Sequence, residues 1–321
     1  MLLFQNLWNT CENKIPLKKT FYSNGKLLLT GEYVVLDGAL ALALPTKFGQ
    51  NLLVKPGKAN EINWKSIDAD GSTWFEEVFT FDSIVQENKT MSENPIHKTL
   101  IEILHEAFQM KPDFLLGNNG YSIETNLSFP KNWGLGTSST LINNIGQWLE
   151  LDAFELLQRS FGGSGYDIAC AKKDNPIIYQ LINNQPSYKK VAFYPEFRNH
   201  LYFVYLNRKQ SSKSAIANYI NKQNEIGKTI EKINAITKSV LSTSDLKIFA
   251  YEMEKHESIL SEVLEMNTIK EAFFDDYKGV IKSLGAWGGD FVLAISKENP
   301  SGYFKERGFD TVICYDDMIL K

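Results

Sequence analysis

Paired cysteines are missing from this chain. Its three, Cys11, Cys170 and Cys314, show none of the spacing of a disulfide framework or a zinc site, so a reducing cytoplasm is the expected setting. Histidine is sparse as well. His97 and His105 fall on one expected helix, but with no thiol or carboxylate pattern beside them they do not indicate a metal site. Positive charge is not in excess: 34 Lys and Arg face 38 Asp and Glu, for a net charge of −4. That balance gives no nucleic-acid footprint, and any anionic ligand has to be met by a local patch. No apolar run approaches the roughly 18 residues of a membrane span. Met1 to Lys14 has neither a basic start nor a small-residue cleavage site, so it does not read as a secretion signal. The P-loop pattern ending in Gly-Lys-Ser/Thr is absent, and the dinucleotide fingerprint fails because Ser139 occupies its third glycine position.

What is present suits a folded protein with a substantial core. The 321 residues are 43% hydrophobic and 22% charged, enough for two medium domains or one large one. Residues 17–36 read as strand, turn, strand, with Leu27 to Leu29 and Tyr33 to Leu36 as the apolar runs before the turn pair Asp37-Gly38. Ala39 to Leu44, Asn51 to Val54 and residues 60–82 continue the β pattern. Asn94-Pro95 opens a helix whose apolar face runs from Ile96 to Phe108. Tyr121 to Thr125 is a strand, and helices follow at about 140–149 and 152–161. Pro176 to Leu181, Lys190 to Phe193 and Leu201 to Leu206 read as strands, and residues 213–284 as largely helical, from Ile216, Ile220 and Ile226 onward. Phe291 to Ile295 and Thr311 to Tyr315 return to β. The class is α+β, with a boundary near Pro195 separating residues 1–195 from 196–321.

Four short segments carry the chemistry. Gly134-Leu135-Gly136-Thr137-Ser138-Ser139 lies between a strand and a helix, where glycines let the backbone approach an anion and the helix start offers free N–H groups. The same segment also reads as a turn whose Ser or Thr caps the helix. Gly162-Gly163-Ser164-Gly165-Tyr166-Asp167 can hold a carboxylate rigidly, or its aspartate can cap the next helix; a serine-hydrolase elbow is excluded by Tyr166. Lys26 sits in the apolar stretch Lys26-Leu27-Leu28-Leu29, either on a solvated edge or buried and paired, with Asp167 as the candidate partner. Gly285-Ala286-Trp287-Gly288-Gly289-Asp290 is the fourth segment. Arg208, Lys209 and Ser211 to Ser214 form either a solvated loop or a contact for a substrate anion. Trp64, Trp74 and Trp133 read as core packing rather than as a pocket wall.

Together, Gly25-Lys26 through Glu32-Tyr33, Pro130 with Gly134 to Ser139, Gly163 to Asp167 and Gly285 to Asp290 resemble the motifs of the GHMP small-molecule kinases, in family order. The details are closest to the phosphomevalonate and mevalonate kinase branch, and Gly165 to Ala169 reproduces the Gly-Tyr-Asp-Ile-Ala string of a bacterial group of these kinases. The resemblance implies a two-domain fold, with an N-terminal ATP-binding domain like that of a small-subunit ribosomal protein and a ferredoxin-like α+β C-terminal domain. It implies ATP and Mg²⁺ as cofactors, and a small-molecule acceptor, phosphomevalonate or mevalonate first, as partner. It implies neither nucleic acid nor membrane, and oligomeric state is not readable.

By the same resemblance, Pro130, Gly134, Leu135, Gly136, Thr137, Ser138 and Ser139 would cradle the ATP phosphates, with Ser138 on Mg²⁺. Asp167 would be the catalytic base or orienter of the acceptor oxygen, and Lys26 would pair with it and stabilise the moving phosphoryl group. Glu32, Ser164, Gly165, Gly285, Ala286 and Gly288 would line the acceptor side. Two departures stand out. Leu156 occupies the place of a Mg²⁺-binding glutamate of mevalonate kinases, with Glu155 and Gln158 nearby, and Trp287 replaces a common glycine. They leave open a fold relative that binds nucleotide without catalysis, a kinase for another small alcohol such as a sugar or homoserine, and a related decarboxylase.

Overall fold

The computed structural model describes residues 18–89, 92–116, 119–208, 219 and 226–321. Cys11, the segment Met1 to Lys14, Lys209, Ser211 to Ser214, and the helical positions Ile216 and Ile220 lie outside the described residues.

Two sheets organise the chain. The larger is seven-stranded, built from β1 (Lys19–Thr30), β2 (Ala41–Gly57), β3 (Glu61–Ile67), β4 (Thr73–Thr80), β5 (Gly120–Leu127), β6 (Ile177–Ile182) and β7 (Gln185–Lys190). Its order is β4-β3-β5-β2-β6-β7, with β1 also paired to β2. The smaller is four-stranded, from β8 (Leu201–Tyr205), β9 (Val280–Leu284), β10 (Phe291–Ile295) and β11 (Val312–Cys314), in the order β11-β8-β10-β9. Among the described strands only β3 and β5 pair in parallel. The change of sheet falls between β7 and β8, around Pro195.

The 17-residue β2 is the spine of the larger sheet. It pairs with β1 over most of its length, with β5 through Gln50–Gly57 and with β6 through Ala41–Ala43. The two short runs expected at Ala39 to Leu44 and Asn51 to Val54 are therefore parts of one strand. Pro45 is tolerated inside it because it stands opposite Lys26, where the register of β1 slips between Asn24 and Lys26.

The described helices are α1 (Phe81–Val85), α2 (Pro95–Met110), α3 (Asp113–Leu116), α4 (Thr137–Leu149), α5 (Ala153–Ser160), α6 (Tyr166–Ala171), α7 (Ile226–Ser242), α8 (Leu246–Leu264), α9 (Ile269–Phe273), α10 (Ser301–Lys305) and α11 (Tyr315–Met318). Helix α2 starts as its sequence dictates: the Asn94 side chain accepts the Ile96 N–H, and Pro95 fills the first position.

Three expectations are corrected. Tyr33 to Leu36 is not a strand; Val34–Asp37 is a 3₁₀ turn ended by Gly38 in the left-handed region. Residues 191–193 lie beyond β7, which ends at Lys190. The helical stretch stops well before 284, because β9 occupies Val280–Leu284. Gly279 marks the change, since a Cβ there would lie 2.1 Å from the Ile295 carbonyl oxygen of the neighbouring strand.

The apolar interior divides unevenly. One cluster packs Leu52, Trp64 and Ile123 of the larger sheet against Ile101, Leu104, Ile142, Ile145 and Leu156 of the helices. The largest cluster crosses from one sheet to the other, joining Leu27, Leu29, Val34, Leu44 and Leu135 to Phe203, Ile236, Phe249, Leu293 and Met318. The two halves share a core.

Candidate active site

Position begins with β1. Gly25 lies in the β1 irregularity, and a Cβ there would meet Thr46 Oγ1 at 2.7 Å and the Leu135 carbonyl oxygen at 3.1 Å. Only a residue without a side chain lets the glycine segment approach so closely. The adjacent Lys26 N–H donates to the Leu135 carbonyl at 3.0 Å, hanging the segment from the strand. Helix α4 is fastened below it by a buried polar network. Asn143 Nδ2 donates to Ser23 Oγ at 2.8 Å, Ser23 Oγ donates to Asn144 Oδ1 at 2.8 Å, and Asn144 Nδ2 donates to the Gln50 carbonyl at 2.9 Å. Buried polar groups bonded to one another in this way fix orientation more firmly than apolar packing alone.

The start of α4 excludes the reading of Gly134 to Ser139 as a turn whose Ser or Thr caps the helix. Gly136 is its N-cap, at φ +97°, and no side chain caps the helix. The Thr140 hydroxyl turns back to Gln50 Oε1 at 2.7 Å, and Ser139 Oγ turns to Asp167. The first N–H groups of a 13-residue helix are thus left without a side-chain acceptor, beside an exposed Ser138 and an exposed Gly134 at φ +68°. Unpaired N–H groups at a helix start can receive an anion, which makes this segment a candidate cradle.

Asp167 arrives from α6. Gly165, at φ +82°, is that helix's N-cap, so Asp167 lies in the first turn and is not the cap. Its carboxylate accepts the Ser139 hydroxyl at 3.0 Å, which joins the two glycine segments. The loop is braced from behind: Gln158 Nε2 donates to the Gly163 carbonyl at 2.7 Å, and the Tyr179 hydroxyl donates to the Ser164 carbonyl.

Lys26 runs along the same floor. A Cβ on Gly136 would lie 3.3 Å from Lys26 Cε, and the ammonium lies 5.5 Å from the Tyr166 ring centroid. Burial disfavours the Lys26 charge, but Tyr166, Asp167 and Asp290 more than offset this and raise its pKa above the usual lysine value. Burial also raises the Tyr166 phenol, against the pull of Lys26. A cation therefore stands beside the cradle, within electrostatic reach of Asp167 and Asp290.

The last glycine segment closes the arrangement from the second sheet. Asp290 reaches Gly134 so closely that a Cβ on that glycine would lie 1.7 Å from Asp290 Oδ2. Gly285 and Gly288 adopt φ +74° and +69°. Trp287 is buried, with its indole N–H donating to the Asn267 carbonyl at 3.1 Å.

Glu32 is not at an open acceptor wall. It is 3% exposed, bonded to the fully buried Lys282 at 2.5 Å, with His256 Nε2 at 3.4 Å from its other oxygen. Burial raises the Glu32 pKa against the opposing pull of Lys282. Burial also lifts Glu257, next in this network, to about 7, and drives His256 well below the usual histidine range. Lys282 was missed in the sequence because residues 213–284 read as helical, and His256 and Glu257, which do lie on α8, because nothing local marks the buried face that meets Glu32. A lysine inside the β-prone run Val280-Ile281-Lys282-Ser283-Leu284 was the available signal.

Elsewhere, Leu156 is fully buried in the helix-backed core and Glu155 pairs with Arg159 at 2.6 Å, so neither points a carboxylate at the cradle. Pro130 accepts the Trp133 N–H at 2.9 Å in the turn leading in. Trp133 packs edge-on against Phe48 and Phe291. Trp64 is core, and Arg208 stacks on Phe273 at 4.1 Å. Among the described residues, no group of three or more His, Cys, Asp or Glu side chains is arranged to hold a metal by itself, and no helix is long and apolar enough to cross a membrane.

No protein-family model matches this chain, and no curated protein matches it. Solved structures do. Mevalonate kinase of Methanococcus jannaschii superposes with a TM-score of 0.67 at 17% identity, covering 95% of this chain and 99% of its own. Phosphomevalonate kinase of Streptococcus pneumoniae, solved with phosphomevalonate and AMPPNP, gives 0.65 at 18% identity, covering 90% and 95%. Galactokinase of Lactococcus lactis, solved with galactose, gives 0.66 at 13% identity, covering 96% and 95%. The likeness is one of fold, along almost the whole of each chain.

Proposed function

We propose that this chain, which has the fold of the GHMP small-molecule kinases, is an ATP-dependent kinase that phosphorylates a small alcohol or phosphate ester. Phosphomevalonate or mevalonate is the first candidate, and residues 1–195 and 196–321 are its two domains. The observation that carries the reading is the Ser139–Asp167 hydrogen bond at 3.0 Å, which brings a carboxylate to the mouth of an uncapped helix start, with Lys26 alongside. Phosphoryl transfer suits this set because it depends on positioning and charge stabilisation more than on covalent chemistry.

The donor set fits a nucleotide triphosphate with magnesium: backbone N–H groups at Gly136 to Ser138, the exposed Ser138 hydroxyl for the metal, and one partly buried cation. Magnesium, when bound, would neutralise charge on the phosphate oxygens. The α4 N–H groups hold the phosphates in place. Lys26 stabilises the charge that develops on the transferring group. Asp167 orients the acceptor hydroxyl and takes its proton as the new oxygen–phosphorus bond forms and the bond from the γ-phosphorus to the ADP oxygen breaks. Ser139 keeps the Asp167 carboxylate turned toward the cradle.

The test is ADP release over a panel holding mevalonate, phosphomevalonate, galactose and homoserine, with Asp167→Asn alongside. The expected result is turnover with one class of acceptor and its loss in the variant. If no acceptor stimulates ADP release, or Asp167→Asn changes nothing, the kinase reading is wrong.

The buried Leu156 supports a second reading, nucleotide binding without catalysis, because no carboxylate comes from that helix position. Calorimetry separates the two: ATP binding with no turnover favours the second.

A further inference from the structure

Tyr33 has a backbone that its side chain does not favour. Its φ is +62° and ψ −57°, and the Val34 N–H donates to the Glu32 carbonyl at 2.7 Å, which together make a γ-turn of the rare, strained hand. A bulky residue persists in such a turn only where its surroundings over-determine it, and such sites cluster where function needs fixed geometry.

The surroundings here belong to the opposite sheet. The Tyr33 hydroxyl, buried, accepts the Trp287 N–H at 2.6 Å. The Glu32 carboxylate, beside it, holds Lys282, which lies in the strand leading into the last glycine segment. Ser283 Oγ accepts the Gly288 N–H at 3.1 Å, and the Ser283 N–H is held by Glu257 Oε2 at 3.0 Å. Two backbone N–H groups of the last glycine segment, those of Trp287 and Gly288, are therefore tied to side chains, the first of them to the Glu32–Tyr33 turn. At the end of that segment, Asp290 lies against Gly134 of the cradle.

We infer that Glu32 and Tyr33 are positioning residues, which set the Gly285–Asp290 loop against the Gly134 bend and so act on phosphoryl transfer without touching nucleotide or acceptor. The inference rests on the kinase reading for its effect on turnover, but not for its effect on the loop. It assigns Glu32 a different role from substrate binding: its carboxylate is buried against Lys282. The strain at Tyr33 has a physical use here, because the turn aims the phenol across the junction, where a relaxed backbone would direct it elsewhere.

Tyr33→Phe tests this, since it keeps the ring and its packing on Tyr219 and removes only the acceptor oxygen. Hydrogen–deuterium exchange is measured on wild type and variant, without ligand. Exchange across residues 285–290 is expected to rise at least tenfold, while β1 and α4 keep their protection. In the same preparations kcat is expected to fall about tenfold, and that fall is expected to shrink by more than half in an Asp290→Asn background, because both changes act through one loop. Ser283→Ala, which removes the acceptor for the Gly288 N–H, serves as the second variant and is expected to loosen the same six residues where Tyr33→Phe proves unstable. Unchanged exchange at 285–290 in both variants overturns the inference, as does a Tyr33→Phe effect on kcat that is the same with and without Asp290. A protein that turns over no acceptor sinks the kinase reading alone, because the exchange arm still reports on the loop.

Discussion

The Ser139 hydroxyl donates to the Asp167 carboxylate at 3.0 Å, tying the first turn of α4 to the first turn of α6. The bond fixes where a proton acceptor stands relative to the cradle. Ser139→Ala is expected to lower kcat about tenfold, the worth of one hydrogen bond to a charged group, and to leave ATP affinity within about twofold. Steady-state kinetics with calorimetry check it; a loss of affinity that matched the loss of kcat would assign Ser139 to binding instead.

Lys26 is the cation beside the cradle, held charged by Tyr166, Asp167 and Asp290 despite its burial. Lys26→Met is expected to cut kcat by roughly 10²–10³, the usual loss for one preorganised charge-stabilising group. Lys26→Arg is not expected to restore it, because the side chain threads past Gly136 at 3.3 Å from a Cβ position and a planar guanidinium differs in shape. Single-turnover rates of the three proteins decide the matter.

Gly134 has φ +68°, and a Cβ there would fall 1.7 Å from Asp290 Oδ2. Gly134→Ala must displace either the bend or the carboxylate. Nucleotide affinity is expected to drop about tenfold or more, at a folding cost of about 1 kcal/mol for the backbone alone. Fluorescent nucleotide titration and thermal melting measure the two effects separately. Unaltered affinity would mean that the Gly134 bend takes no part in nucleotide binding.

Glu257 gives a pH dependence of definite sign. Its folded pKa, pushed up to about 7 from an ordinary 4.5 by burial, means that the folded protein holds a proton there which the unfolded chain has released. Its contribution to stability is full below pH 4.5 and is lost as pH rises through about 7, by an amount of about 3 kcal/mol. Glu257→Gln keeps acceptor capacity for the Ser283 N–H and cannot ionise beside Glu32. Melting curves from pH 5 to 8 are expected to show wild type losing ground to the variant as pH rises. Parallel curves would mean that Glu257 titrates as an ordinary carboxylate.

Leu156 is fully buried among apolar side chains. Leu156→Glu, which places a carboxylate where mevalonate kinases carry one, is expected to destabilise the protein by several kcal/mol and not to tighten magnesium binding, since the charge would be desolvated without a partner. Denaturant midpoints and metal titration check both halves.

The glycine segments were legible because left-handed backbone is written into sequence: Gly134, Gly136, Gly165 and Gly285 all take positive φ. Strands and helices with a clear period, such as β5 and α2, were legible for the same local reason. What escaped was set by distant partners. Glu32 reads as a substrate-facing acid until Lys282, 250 residues away in sequence, is folded against it. The turn at Tyr33 looked like a strand because Tyr-Val-Val-Leu has β propensity, which the tertiary contact to Trp287 overrides. Likewise the hydroxyl that meets Asp167 is Ser139 rather than its neighbour Ser138, a choice made by the helical phase of α4.

The apolar interior spanning both sheets bears on how the molecule is made. Leu29, Val34 and Leu44 leave the ribosome long before Phe203, Phe249 and Leu293, which cover them. A nascent chain ending near Pro195 therefore presents an oily, unfinished surface, and folding of the first half has to wait for the second or be shielded by a chaperone.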